Sequence, residues 1–501
     1  MSDLRKRPFA LAFLLAIALA AGASLIQILP AKAAGTVGDG TPASCTEAAL
    51  RAAVAGGGLV NFDCGQSAAT PVTILLAQRI ELTTDTVIDG GDRAALILSG
   101  GDPGTGERNG VGHFGIAAGA TVDLRNLTLL AAGDSAILNR GTLALDRVEI
   151  QGARSQQCAA IQSESRLTLL GASIITTNAA ESVGGGVCVL GGQAFFNRTD
   201  LRFNRAAQGG GLYVAAGAAV ESIDSYFTFN TTTGAGAYVA PGGKMTSHAT
   251  GWVENHAAED DPGGSGGAIY NAGEVALIGD VITKNSARDS GSLYNTGALT
   301  VERSDIDDNR AAAAGGGLYN TGMARLATSS LVNNQADQGG GFYNSATLAI
   351  VNATVSGNNA ASGGNEVAGG SATLDYSTLF NNGAVALVAG GGSIAVRGSI
   401  VDGCAGGGAI TSLGRNLDTG AGCGFAQAGD LTNTDPLLGS LTQTSSTRTA
   451  TASERPATTT SSRISSTSRG RWSWSMASSA SRSRCARVAR ARPTWIPVLK
   501  R

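Results

Sequence analysis

The chain is 501 residues long, with 72 Gly, only 11 Pro, 43% hydrophobic and 15% charged residues, and a formal net charge of −2. That is too apolar for a disordered glycine-rich tract. The near-neutral total averages an acidic body with a basic tail, since residues 441–501 hold eleven Arg and Lys500 against Glu454 as their one acid; no nucleic-acid function is read from that tail.

Residues 1–34 read as a signal peptide. Arg5, Lys6 and Arg7 form a basic start, residues 9–29 are apolar, and Ala31-Lys32-Ala33 is an A-x-A cleavage pattern. An uncleaved anchor is the rival reading, because the apolar run is long enough to span a bilayer. No later segment has that length and apolarity, so no transmembrane segment is expected once the leader is removed.

Residues 35–70 are expected to cap the fold. Cys45 and Cys64 bracket a stretch of helical spacing, residues 46–54, followed by Gly56-Gly57-Gly58. At the other end Cys404 and Cys423 bracket a loop, and each pair is a disulfide candidate suited to an oxidising compartment. Cys158 and Cys188 lie about one repeat apart, and their pairing is left open. The C-x₂-C spacing of a zinc site is absent, and His113, His248 and His256 form no recognisable ligand set.

From residue 71 to 440 the chain is periodic. Asn178, Asn204, Asn230, Asn255, Asn285, Asn309, Asn334, Asn358 and Asn382 recur at intervals of 26, 26, 25, 30, 24, 25, 24 and 24 residues. Three residues before each stands an apolar side chain, from Ile175 through Trp252 to Leu379. Five before it stands a small hydroxyl in seven of the nine units, with Asp280 and Ala353 as exceptions. Alternation at period two, cut by Gly and Asn, is strand and turn rather than helix. Three short strands and three turns per coil of about 25 residues, stacked at about 4.8 Å, pair every backbone polar group with a neighbouring coil. Asn suits the turn because it tolerates the left-handed region and its amides can bond one another along the axis. The expected fold is an all-β parallel β-helix, a single monomeric rod in which each coil touches only its neighbours.

Two resemblances refine this. Residues 44–53 and 60–64, with Thr86-Val87-Ile88-Asp89-Gly90-Gly91, look like the amino-terminal cap and first coils of secreted bacterial right-handed β-helix proteins, where a short C-x-L-R-E-A-like helix plugs the open end. The stretch Thr46-Glu47-Ala48-Ala49-Leu50-Arg51 only approximates that motif. The repeats resemble polymorphic outer-membrane-protein repeats, as in Gly209-Gly210-Gly211-Leu212-Tyr213 and Gly315-Gly316-Gly317-Leu318-Tyr319, with Phe227-Thr228-Phe229-Asn230 as the F-x-x-N partner. The resemblance covers roughly residues 165–385 and implies a right-handed, pectin-lyase-like solenoid on exported or surface-displayed proteins. No carboxy-terminal β-barrel pattern follows, so autotransport is not supported.

Asn433-Thr434-Asp435-Pro436-Leu437-Leu438-Gly439 resembles the end of surface β-helix proteins, yet the closing motif is missing. Residues 441–501 turn rich in Ser, Thr and Arg instead. Two readings stand for them: the product of a slipped reading frame near residue 441, or a genuine disordered basic tail.

Signals for chemistry are sparse. Asp280 and Asp305 are the nearest pair of acids, but Asp280 falls on an inward position and Asp305 on an outward one; Asp307 and Asp308 fall beside Asn309 in a turn. No catalytic residue is assigned. A second column, Tyr213, Tyr238, Tyr270, Tyr294, Tyr319 and Tyr343, should face outward, because each follows an inward apolar residue; it either binds a ligand or only stabilises its own stack. The long interval between Asn255 and Asn285 marks an inserted loop, in which Glu259, Asp260 and Asp261 are a candidate Ca²⁺ site or simply a solvated turn. No other cofactor is expected. The sequence thus favours a secreted or cell-surface scaffold acting in adhesion, with surface glycans or surface proteins as partners. The alternative is a carbohydrate-active enzyme, a lyase or hydrolase, on the same fold.

Overall fold

A computed structural model describes residues 35–101, 109–258, 263–444 and 471–476. Three parallel sheets run the length of the solenoid. Sheet I has sixteen strands, from Gly35–Val37 to Ala409–Ser412; sheet II has fourteen, from Ile80–Leu82 to Cys404–Gly406; sheet III has fifteen, from Val72–Leu75 to Leu417–Asp418. One coil passes through them in the order II, I, III, as in Ile269–Asn271, Glu274–Ile278 and Val281–Thr283. The parallel β-helix expected from the periodicity is the observed fold.

The expected three strands per coil are an undercount. A fourth short sheet follows the Asn turn in some coils, with four strands from Arg154–Ser155 to Thr231–Thr233 and two more at Ser286–Asp289 and Arg310–Ala314. It exists because the chain between sheet III and sheet II is long enough to pair with its neighbour before the glycines turn it back.

The Asn column is a continuous ladder. Each Nδ2 donates to the Oδ1 of the next Asn in all eight steps from Asn178 to Asn382, at 2.9–3.2 Å. The same Oδ1 atoms accept from the preceding Asn backbone N–H groups, as from Asn285 to Asn309 at 2.9 Å. The second Nδ2 proton goes back one coil, as from Asn309 to the Ile282 carbonyl at 2.9 Å. All nine side chains are buried, so the bonds lie where an unmet amide costs most.

Where the Asn itself was expected to take the left-handed conformation, the residue before it does. Thr177, Phe203, Phe229, Glu254, Lys284, Asp308, Asn333, Gly357 and Asn381 all have φ between 53° and 67°. The inward Asn is held by its amide bonds, and the exposed or half-buried neighbour absorbs the turn. The hydroxyl column behaves alike: Ser225, Ser304, Ser329 and Ser377 accept from the backbone N–H one coil earlier, and each is preceded by a left-handed residue, Asp224, Arg303, Thr328 and Tyr376.

The core is filled by the apolar column three residues before the Asn, all of it fully buried, with Phe227 and Trp252 stacked at 4.1 Å. The glycine run that precedes Tyr213 is a matter of space. Gly209 turns at φ 63°, and a Cβ on Gly210 would stand 2.5 Å from the Thr231 carbonyl oxygen of the next coil.

At the amino-terminal end sits the helix α1 (Glu47–Val54), whose N-cap Thr46 accepts from Ala49 N–H at 3.2 Å. Leu50 and Val54 are buried against the first coil. The strands Gly35–Val37 and Gly58–Phe62 already belong to sheet I, so the residues assigned to the cap also start the stack. Disulfides join Cys45 to Cys64, Cys404 to Cys423 and Cys158 to Cys188, the last being the pair the spacing left open.

The chain divides into the units Met1–Thr434 and Asp435–Arg501. In the second, Leu438–Thr444 pairs antiparallel with Arg471–Met476. The remainder of 441–501 and the leader 1–34 lie outside the described residues. Among the described residues no helix is long and apolar enough to cross a membrane.

Candidate functional site

The six tyrosines occupy one column of sheet II. They pair in register from Tyr213 to Tyr343, because the Leu, Ala, Ile or Phe before each points into the core and strand alternation turns the phenol outward. Their rings stack along the axis with centroids 4.7–5.6 Å apart and interplanar angles of 6–17°. The residue after four of them is an inward Asn, and Asn271, Asn295, Asn320 and Asn344 form a second buried amide ladder at 2.7 Å per step. That ladder was missed, although its signal, Tyr-Asn at the repeat interval, is plain in the sequence. It fixes the strand ends that carry the phenols.

Beside the column the fourth sheet and the return of the inserted loop at Gly263 and Ser265 raise a wall. A depression of about 560 Å³ lies between them, lined by Tyr238, Tyr270 and Tyr294 on one side and by Ser182, Gln208 and Ser265 on the other. Gly263, at the return of the inserted loop, also lines it. The tertiary structure thus brings together two features far apart in the repeat pattern, the Tyr column and the long insertion. The insertion leaves the coil after Ala257, which donates to the Ser286 carbonyl at 2.8 Å, and rejoins at Gly264, which accepts from Arg288 and Asp289. Glu259, Asp260 and Asp261 lie outside the described residues. Among the described residues no group of three His, Cys, Asp or Glu side chains is placed to hold a metal.

The electrostatics of this groove are neutral to acidic. No Lys or Arg lines it among the described residues. Asp289 stands in register between Ser265 and Ala314 and acts on both Tyr294 and Tyr319. Burial pushes the Asp289 carboxyl up, with the Arg288 charge opposing. Burial likewise pushes the Tyr294 phenol up to about 12, with Tyr319, Tyr270 and Asp289 adding to it. After Tyr343 the next place in the column is Glu366, which accepts from Ser362 Oγ at 2.9 Å. Sequence reading missed Gln208, Asp289 and Glu366; only Glu366 left a trace, as the residue after Gly363-Gly364-Asn365 at the repeat spacing.

The candidate acids separate. Asp280 is fully inside, accepting from Thr250 N–H at 2.9 Å and from Trp252 Nε1 at 3.3 Å. Asp305 faces out and takes the Ser330 hydroxyl. Asp307 is not a turn residue as expected but ends the strand Asp305–Asp307, facing the same way as Asp305; Asp308 is the turn residue, at φ 54°. Burial pushes the Asp307 carboxyl up to about 7, Asp308 and Asp305 adding to it while a Thr283 hydroxyl and Lys284 oppose. Its Oδ1 has no partner and no solvent contact, so no substrate atom reaches it in this arrangement.

No protein-family model and no curated protein matches the chain. Among solved structures, the A-module of the mannuronan C-5 epimerase AlgE6 from Azotobacter vinelandii is similar at 12% identity and a TM-score of 0.27, over 79% of this chain and 99% of that one. At that distance the epimerase's activity says nothing of this chain's ligand.

Proposed function

We propose that this chain is an exported parallel β-helix that holds an extended ligand, a surface glycan, in the groove along its tyrosine column, and that it acts in adhesion or surface structure rather than in catalysis. The observation that carries the reading is the meeting of Tyr238, Tyr270 and Tyr294, three of the six in-register phenols, with the wall of Ser182, Gln208 and Ser265. Such a groove offers many polar contacts at a fixed repeat and no reactive group among them. The leader-like residues 1–34 and the three disulfides support export to an oxidising compartment.

A glycan array run beside an assay for reducing or unsaturated sugars tests this. Retention of a glycan without release of either product is the expected result. Release of product that survives in the leaderless protein would replace the reading with the enzymatic one.

A further inference from the structure

Stacking decides which part of each phenol is left for a ligand. Tyr238, Tyr270, Tyr294 and Tyr319 each have a neighbouring ring on both faces, within 5.6 Å between centroids and 17° of parallel. A sugar cannot lie on a face that is already covered. What remains is the ring edge and the hydroxyl, one per coil, repeating at the strand spacing of about 4.8 Å. Each hydroxyl can donate one hydrogen bond and accept two. An extended 1,4-linked polysaccharide advances by nearly the same distance per sugar, so successive residues can meet successive phenols.

Charge then selects among such chains. Asp289 stands in register beside Ser265 of the groove wall and Glu366 takes the slot that ends the column, and no Lys or Arg is among the described residues lining the depression at Tyr238, Tyr270 and Tyr294. A polyuronate would bring carboxylates against these acids, offset in part by the Arg288 charge beside Asp289. A chain bearing protonated amines would gain from both.

We propose that the tyrosine column is a hydroxyl-reading track for an amine-bearing, 1,4-linked hexosamine polymer, with Asp289 and Glu366 as its charge-selecting residues. This rests on the groove reading above and goes beyond it in naming the ligand's chemistry and the atoms that read it.

The test uses the leaderless protein at pH 6 against three oligosaccharides of equal length: glucosamine, its N-acetylated counterpart and galacturonate. The expected order of affinity is glucosamine, then the N-acetylated chain, with galacturonate not retained. Asp289→Asn with Glu366→Gln should lower glucosamine affinity about five- to tenfold and leave the N-acetylated chain unchanged. Glu221→Gln with Glu302→Gln, acids of sheet I, should change neither. Tyr294→Phe with Tyr319→Phe keeps the stack and removes two hydroxyls, so it should weaken both chains without moving the thermal midpoint. Galacturonate bound as tightly as glucosamine overturns the charge selection while leaving the groove standing. Unchanged binding by the Phe pair overturns the hydroxyl reading, and no binding of any chain overturns the groove reading itself.

Discussion

Trp252 donates its indole N–H to Asp280 Oδ2 at 3.3 Å inside the core, and the other carboxylate oxygen takes the Thr250 backbone N–H at 2.9 Å. Asp280 thus fills the place that Ser or Thr fills in other coils, with one extra acceptor for the largest side chain of the core. Its acidity serves packing. Asp280→Ala should leave both donors unmet and cost roughly 2–4 kcal/mol. Asp280→Asn keeps an acceptor for one of them and should cost less than half as much. Thermal melts of the two variants check this; equal losses would show that the carboxylate charge, not the pair of bonds, matters.

The amide ladder predicts a loss and the hydroxyl ladder a gain. Asn309→Ala removes bonds to Asn285, Ile282 and Asn334 in a buried row and should cost roughly 3 kcal/mol or more. Ala353 interrupts the hydroxyl column and offers the Ser329 backbone no side-chain acceptor, whereas the neighbouring steps have one. Ala353→Ser should therefore stabilise by about 0.5–1 kcal/mol, read as a rise in the thermal midpoint.

Asp307 predicts a pH dependence with a definite sign. Its carboxyl binds a proton more tightly in the fold, at about 7, than at its ordinary value of 3.8. Its contribution is then full below about 3.8 and is lost as pH rises through about 7. Asp200, pushed up to about 6 by burial, acts in the same direction. Buried His113, pushed down to about 4 chiefly by burial, acts in the opposite one, so the wild-type curve is a partial cancellation. The variant difference isolates Asp307: Asp307→Asn should be more stable than wild type at pH 8, by something on the order of 1–3 kcal/mol, and no more stable at pH 4. Denaturant titrations at the two pH values read this directly.

Thr328 holds φ at 53° with a β-branched side chain that is exposed. That conformation costs an L-residue roughly 1–2 kcal/mol, while glycine's extra freedom in the unfolded chain costs about 0.5–1 kcal/mol. Thr328→Gly should therefore raise stability by about 0.5 kcal/mol, and Thr328→Val should not. A lower midpoint for the glycine variant would mean that Thr328 makes contacts worth more than its strain.

The sequence by itself determined the coil. Asn309 and its eight counterparts recur with a fixed apolar partner, because a buried amide needs partners and a like amide one coil away supplies one at every step, and that demand is written as a period. The outward direction of Tyr294 was legible for the same reason, since strand alternation is local. Only the tertiary structure decided what the tyrosines face. Gln208, Asp289 and the return of the inserted loop at Gly263 reach the column across coil boundaries and through a fourth sheet with no strong pattern of its own. It also moved the turn strain from each Asn to the residue before it, and turned Asp280 from a candidate acid into a partner of Trp252. Periodicity records what every coil must repeat to stack; a groove is built from what single coils do differently, and those differences acquire meaning only once the coils stand side by side.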